Sequence, residues 1–144
     1  MRTYSIELMD HDLHQLNRVW WKQLMSLFFK PGRAFEIRCW REKQEAIAKA
    51  LTFGTLSERD GTDYEVSVKG TLDGAAIHEL LEAEQATEDD RMTAFFTIRL
   101  EGVLSCEHYG TEIYLFDLSE ELQQQVRTIL EPVKGNFSFR AVEM

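Results

Sequence analysis

The fold is decided by residues 96–118, which read FTIRLEGVLSCEHYGTEIYLFDL. Apolar and polar residues alternate from Phe96 to Glu101, a period of two that is typical of a half-buried strand. Gly102 predicts a bulge or a turn, after which the strand pattern resumes. A second turn at 108–110 leads into a further alternating segment. We therefore expect successive antiparallel strands joined by short connections.

The same signals recur through the rest of the chain. Further strands are predicted at 4–8, 35–39, 53–56, 64–68 and 137–139. Helices are predicted at 12–29, 42–51, 73–85 and 119–130, where apolar residues recur at helical spacing behind capping Asp or Ser residues or before Pro. Asp60-Gly61 is a hairpin signal between two of the strands. The pattern predicts an α+β protein with a mostly antiparallel sheet and about four helices.

From Ala34 to Leu100 the predicted order is strand, helix, strand, strand, helix, strand. This order resembles that of a ferredoxin-like βαββαβ unit. The resemblance covers about half of the chain and rests on architecture alone. Because that architecture carries many unrelated functions, it implies none of them here.

Length and composition predict one compact α+β domain over residues 1–144, because 44% of the residues are hydrophobic and can bury a sizeable core. Uninterrupted apolar runs such as Leu27-Phe28-Phe29 are too short to cross a membrane. The charged start of the chain does not resemble a signal peptide. Two cysteines, Cys39 and Cys106, are too few for a disulfide framework, so we expect both to be reduced and buried. We expect a cytoplasmic protein with no membrane association.

Residues 57–90 hold the acidity of the chain, with eleven acidic side chains and two basic ones. That imbalance equals the net charge of −9 for the whole sequence. A local field of one sign attracts a basic partner and disfavours nucleic acid, whose phosphates require clustered Lys and Arg. The predicted partner-binding residues are Glu58, Asp60, Asp63, Glu82, Glu84, Glu88, Asp89 and Asp90.

The helix predicted from Asp12 to Phe29 is apolar around most of its circumference, whereas a surface helix needs one apolar stripe. Two interpretations follow. The helix is sandwiched between the sheet and another element, or it leaves Trp21, Met25 and Phe29 on a second side as an interface with a partner or another copy.

Four histidines and one cysteine are the candidates for chemistry. His11 and His14 share a predicted helix start, while Cys106 and His108 could pair as nucleophile and base. His78 begins a sequence like that of zinc proteases, but Glu82 stands where the second histidine belongs. Solvated or structural roles account for each of them, so we predict no catalytic residue, metal site or cofactor.

The sequence therefore favours a non-catalytic protein-binding module that engages a basic protein, in the manner of an inhibitor or immunity protein. One alternative is a structural homo-oligomer in which the basic stretch 18–49 meets the acidic stretch of a neighbouring copy. The other is a small-molecule or metal-dependent enzyme in which His11, His14, His78, Cys106 and His108 converge in space.

Overall fold

A computed structural model describes residues 3–8, 18–82 and 91–142. The strands are β1 (Thr3–Leu8), β2 (Ala34–Trp40), β3 (Thr55–Leu56), β4 (Glu65–Thr71), β5 (Thr97–Leu100), β6 (Leu104–Glu107), β7 (Glu112–Leu115) and β8 (Phe137–Val142). The helices are α1 (Val19–Phe28), α2 (Gln44–Ala50), α3 (Gly74–Glu82) and α4 (Glu120–Leu130). Short 3-10 helices occupy Glu58–Asp60, His108–Gly110 and Glu131–Val133.

All eight strands form one sheet in the order β3-β4-β2-β5-β6-β7-β1-β8, and every neighbouring pair is antiparallel. The α+β class with a mostly antiparallel sheet and four helices is confirmed. Between Ala34 and Leu100 the elements follow the predicted order, and their strands are the consecutive sheet neighbours β3, β4, β2 and β5. A ferredoxin-like unit would be one part of this larger sheet.

One face of the sheet is apolar because the alternation of each strand is in register with that of its neighbours. A single cross-strand row on this face consists of Val68, Ile37, Ile98, Cys106, Ile113, Ile6 and Phe139. All four helices contribute their buried residues to the same core. The Trp20 ring, for example, lies 4.3 Å from that of Phe137 in β8. The helices therefore form a second layer over this face.

Helix α1 is surrounded on several sides, since it contacts α3 and α4 as well as the core. Trp21, Met25 and Phe29, the residues considered for an interface, are all buried in that core. The sandwiched arrangement is thus the one observed. The predicted start of this helix at Asp12 lies outside the described residues, within which α1 begins at Val19.

The β6–β7 turn agrees with the sequence prediction, whereas the β3–β4 connection differs from it. The β6–β7 turn falls at His108–Gly110 as predicted, and Gly102 turns the chain between β5 and β6. The Asp60-Gly61 pair does not form a tight hairpin turn, because Gly61 has an extended backbone and Glu58–Asp60 form a short 3-10 helix. The Asp60 carboxylate instead accepts a hydrogen bond from Ser57 Oγ at 2.6 Å.

Candidate binding surface

The second face of the sheet, here called the open face, is polar. One cross-strand row on it consists of Lys69, Glu36, Arg99, Ser105, Tyr114, Ser5 and Arg140. The adjacent row includes Ser67 and Arg38 on one side and Glu107, Glu112 and Glu7 on the other. In the part of the chain that the structure describes, no helix packs on this face. It is therefore the surface on which charged side chains of distant segments meet.

The half of the open face formed by β4 and β2 is electrostatically compensated. The Arg38 guanidinium lies between two carboxylates, 2.9 Å from Glu36 Oε2 and 3.1 Å from Glu65 Oε1. It also donates to the Asp60 carbonyl at 2.9 Å, while Ser67 donates to Glu36 at 2.6 Å. Arg38 and Glu36 are largely buried by one another and by their neighbours. This network fixes the strands and presents little unpaired charge.

A groove of about 380 Å³ lies at the end of this compensated half. Its charged lining includes Glu36, Lys69 and Arg99. Lys69 already pairs with Asp60 at 2.8 Å, and Arg99 lies 3.5 Å from Glu36. The fourth charged residue of the lining is Glu101. The two cations of the groove thus already lie beside carboxylates of the same chain.

The other half of the open face carries like charges side by side. Glu107 lies directly opposite Glu112 across β6 and β7, and Glu112 lies directly opposite Glu7 across β7 and β1. We call Glu107, Glu112 and Glu7 the glutamate row. Their side chains are between 28 and 40% exposed. Like charges at directly opposed positions destabilise a sheet, so this arrangement costs free energy.

Among the described residues, the cations nearest the glutamate row are exposed side chains at its margins. Arg99 lies 3.6 Å from Glu107, His108 lies 3.3 Å from Glu112, and Arg140 lies 3.9 Å from Glu7. These three side chains are 46 to 64% exposed. Exposed pairs at such distances contribute little to stability.

Tyr114 and Ser5 lie next to the glutamate row on the same face. The Tyr114 hydroxyl donates a hydrogen bond to Glu112. That bond, together with burial and the charges of Glu112, Glu107 and Glu7, raises the pKa of Tyr114 to about 12. Tyr114 is therefore a neutral donor at physiological pH. Ser5, its cross-strand neighbour, is only 1% exposed, and its Oγ atom has no hydrogen-bond partner among the described residues.

The acidic residues predicted to bind a partner do not form one described surface. Glu58, Asp60 and Asp63 lie in the β3–β4 connection, where Lys69 and Ser57 already engage the Asp60 carboxylate. Glu82 is the last described residue of α3 in the helical layer and lies 3.2 Å from Lys22. The remaining four, Glu84, Glu88, Asp89 and Asp90, lie outside the described residues. Glu82 and the other three described residues therefore lie on different elements of the structure.

The candidates for chemistry are also separated. Cys106 is buried in the core of the helix-covered face, where burial raises the pKa of its thiol to about 12, and His108 is an exposed turn residue beside Glu112. His78 is exposed on α3. Among residues 3–8, 18–82 and 91–142, no three His, Cys, Asp or Glu side chains are grouped so that they could hold a metal ion. His11 and His14 lie outside these ranges.

The glutamate row was not predicted from the sequence, because Glu107 and Glu112 flank one turn but Glu7 lies far from both in the sequence. The available signal was the alternation itself, which places Glu7, Glu107 and Glu112 on the polar side of their strands, but only the strand register brings them together.

No described helix is long and apolar enough to cross a membrane. Comparison of the chain with protein-family models, curated proteins and solved structures found no match.

Proposed function

We propose that this chain is a non-catalytic protein-binding module of the cytoplasm, and that its open face receives a basic region of another protein. The observation that carries the proposal is the glutamate row: three carboxylates at directly opposed positions, beside which the described cations are exposed side chains 3.3 to 3.9 Å away. A partner that brings positive charge to this row would relieve the repulsion between the carboxylates.

The proposed partner is a basic protein, as the composition predicts. The proposed contact surface, however, is the open face and not the acidic stretch 57–90. Of the acidic residues in the 57–90 stretch, Asp60 and Glu82 already engage lysines of the same chain. The glutamate row instead combines carboxylates from three neighbouring strands on a rigid sheet. A surface on regular elements needs little ordering when a partner binds, which favours affinity.

Intrachain bonds weigh against the homo-oligomer alternative based on the basic stretch 18–49. Of its eight cationic side chains, five are engaged: Arg18 with the Met92 carbonyl, Lys22 with Glu82, Arg33 with the Phe28 carbonyl, Arg38 with two carboxylates and Arg41 with the Thr62 carbonyl. A basic surface made from this stretch would have to break some of these contacts.

The proposed function is tested by locating the binding of a basic probe. We expect a hexa-arginine peptide to shift the backbone amide resonances of β1, β6 and β7 in isotope-labelled protein, with an apparent affinity that falls as salt rises. A hexa-glutamate peptide is the control and should shift none of them. Resonance shifts confined to the helical layer, or to the β3–β4 connection, would contradict the assignment of the open face.

A further inference from the structure

The open face shows how this protein pairs neighbouring glutamates. Arg38 joins Glu36 to Glu65, with N···O distances of 2.9 and 3.1 Å. Arg99 reaches from Glu36, at 3.5 Å, to Glu107, at 3.6 Å. In both cases one guanidinium spans two carboxylates, which its five donors in a planar fork allow.

This pattern stops at Glu112. Its neighbours in the row are Glu107 on β6 and Glu7 on β1, each directly opposite it. Opposed residues in an antiparallel pair have Cβ atoms about 4.5–5.5 Å apart, so one cationic group can reach both side chains. In the described part of the chain, no arginine or lysine spans Glu112 and either neighbour. Within the described residues, the cross-strand array therefore lacks one bridging cationic side chain at Glu112.

Ser5 provides an independent indication of the same gap. It lies two residues before Glu7 and directly opposite Tyr114 on the open face. Its side chain is 1% exposed, and its hydroxyl oxygen has no hydrogen-bond partner among the described residues. A buried hydroxyl without a partner costs free energy, and a donor from a bound group would satisfy it.

We propose that the glutamate row, with Glu112 at its centre, is the anchor subsite for one arginine side chain of the protein partner. This inference rests on the proposed function and names the group that the open face recognises. Arginine fits better than lysine because a planar guanidinium can hydrogen bond to two carboxylates at once, whereas an ammonium acts as a compact point charge. Tyr114 holds the Glu112 carboxylate from one side and leaves its other oxygen beside the exposed His108.

The test compares two single neutralisations that change the net charge of the protein equally. Glu112→Gln removes the central carboxylate, whereas Glu58→Gln removes an exposed one in the β3–β4 connection. Hexa-arginine and hexa-lysine peptides serve as probes, and their affinities are measured by calorimetric titration. We expect the parent protein to bind hexa-arginine more tightly than hexa-lysine. Glu112→Gln should lose about tenfold in affinity for hexa-arginine, and Glu58→Gln less than about twofold.

Glu112→Gln also alters the acceptor of the Tyr114 hydrogen bond, so a second variant is needed to separate that change from the loss of the charge. Glu7→Gln neutralises the row without removing the acceptor of Tyr114, so it should also weaken hexa-arginine binding more than Glu58→Gln does. Urea unfolding of each variant establishes that the fold is retained.

The possible results separate the two proposals. Equal affinities for the two peptides, or equal effects of Glu112→Gln and Glu58→Gln, would overturn the anchor subsite. If hexa-arginine still shifts the amide resonances of the open face in that case, the proposed function stands. Absence of those shifts in the parent protein would overturn the proposed function itself.

Discussion

The substitution Gly110→Ala directly tests how closely the β6–β7 turn packs against Met92 and Trp21. Gly110 has φ +88°, a left-handed conformation that costs an L-residue about 1–2 kcal/mol. A Cβ atom there would lie 2.6 Å from Met92 Cβ and 2.9 Å from Trp21 Nε1. Both neighbours are fully buried, so neither can move away into solvent. Overpacking of this kind costs about 1–3 kcal/mol, which gives a total loss of about 2–5 kcal/mol.

Gly102→Ala is the matched control. Gly102 also has a left-handed backbone, with φ +72°, but a Cβ atom there would have nothing within 4 Å. It should therefore lose only the conformational part, about 1–2 kcal/mol. The assay is urea unfolding followed by tryptophan fluorescence and circular dichroism, with the free energy of unfolding extrapolated to water. If Gly110→Ala loses no more stability than Gly102→Ala, the close packing of the β6–β7 turn against α1 is wrong.

Three further predictions concern the core, the sheet edge and the cysteines. Trp20→Ala should lower the free energy of unfolding by about 3–5 kcal/mol, because it leaves a cavity at a buried position. Gln23→Ala, at an exposed site of the same helix, is the control and should change it by less than about 0.5 kcal/mol. Hydrogen bonds from Lys69 and Ser57 hold the pKa of Asp60 below its usual range, so this carboxylate stabilises the fold at neutral pH and the stabilisation is lost as pH falls through the lowered pKa. Asp60→Asn should thus be less stable than the parent at neutral pH, and the two unfolding curves should converge in strong acid. The two thiols, whose pKa values burial raises to about 12, should resist iodoacetamide in native protein at mildly alkaline pH and react once urea unfolds it.

Much of the fold could be predicted because the alternation of apolar and polar residues is local information. The segment that contains β5, β6 and β7 carries a period of two and turn residues between its strands. The β3–β4 connection was predicted less well, because the Ser57–Asp60 hydrogen bond favours a 3-10 helix over the tight turn that Asp-Gly suggests.

The candidate site could not be predicted because the clustering of acidic residues in the sequence does not show which carboxylates are neighbours in the folded protein. The acidic stretch 57–90 dominates the net charge, yet two of its carboxylates are engaged with lysines of the same chain, at Asp60 and Glu82. The glutamate row draws one member from β1 and two from the β6–β7 hairpin. Only the pairing of β1 with β7 shows that the three carboxylates are neighbours.

The position of β1 has a consequence for how the chain folds during synthesis. β1 is made first, but its two partners in the sheet are the strands at 112–115 and 137–142. The segment 34–100, by contrast, supplies its own four neighbouring strands. That segment can assemble while β1 has no partner, and contacts between residues so distant in sequence form slowly. The open face near Glu7 is therefore completed only after both β7 and β8 have been synthesised.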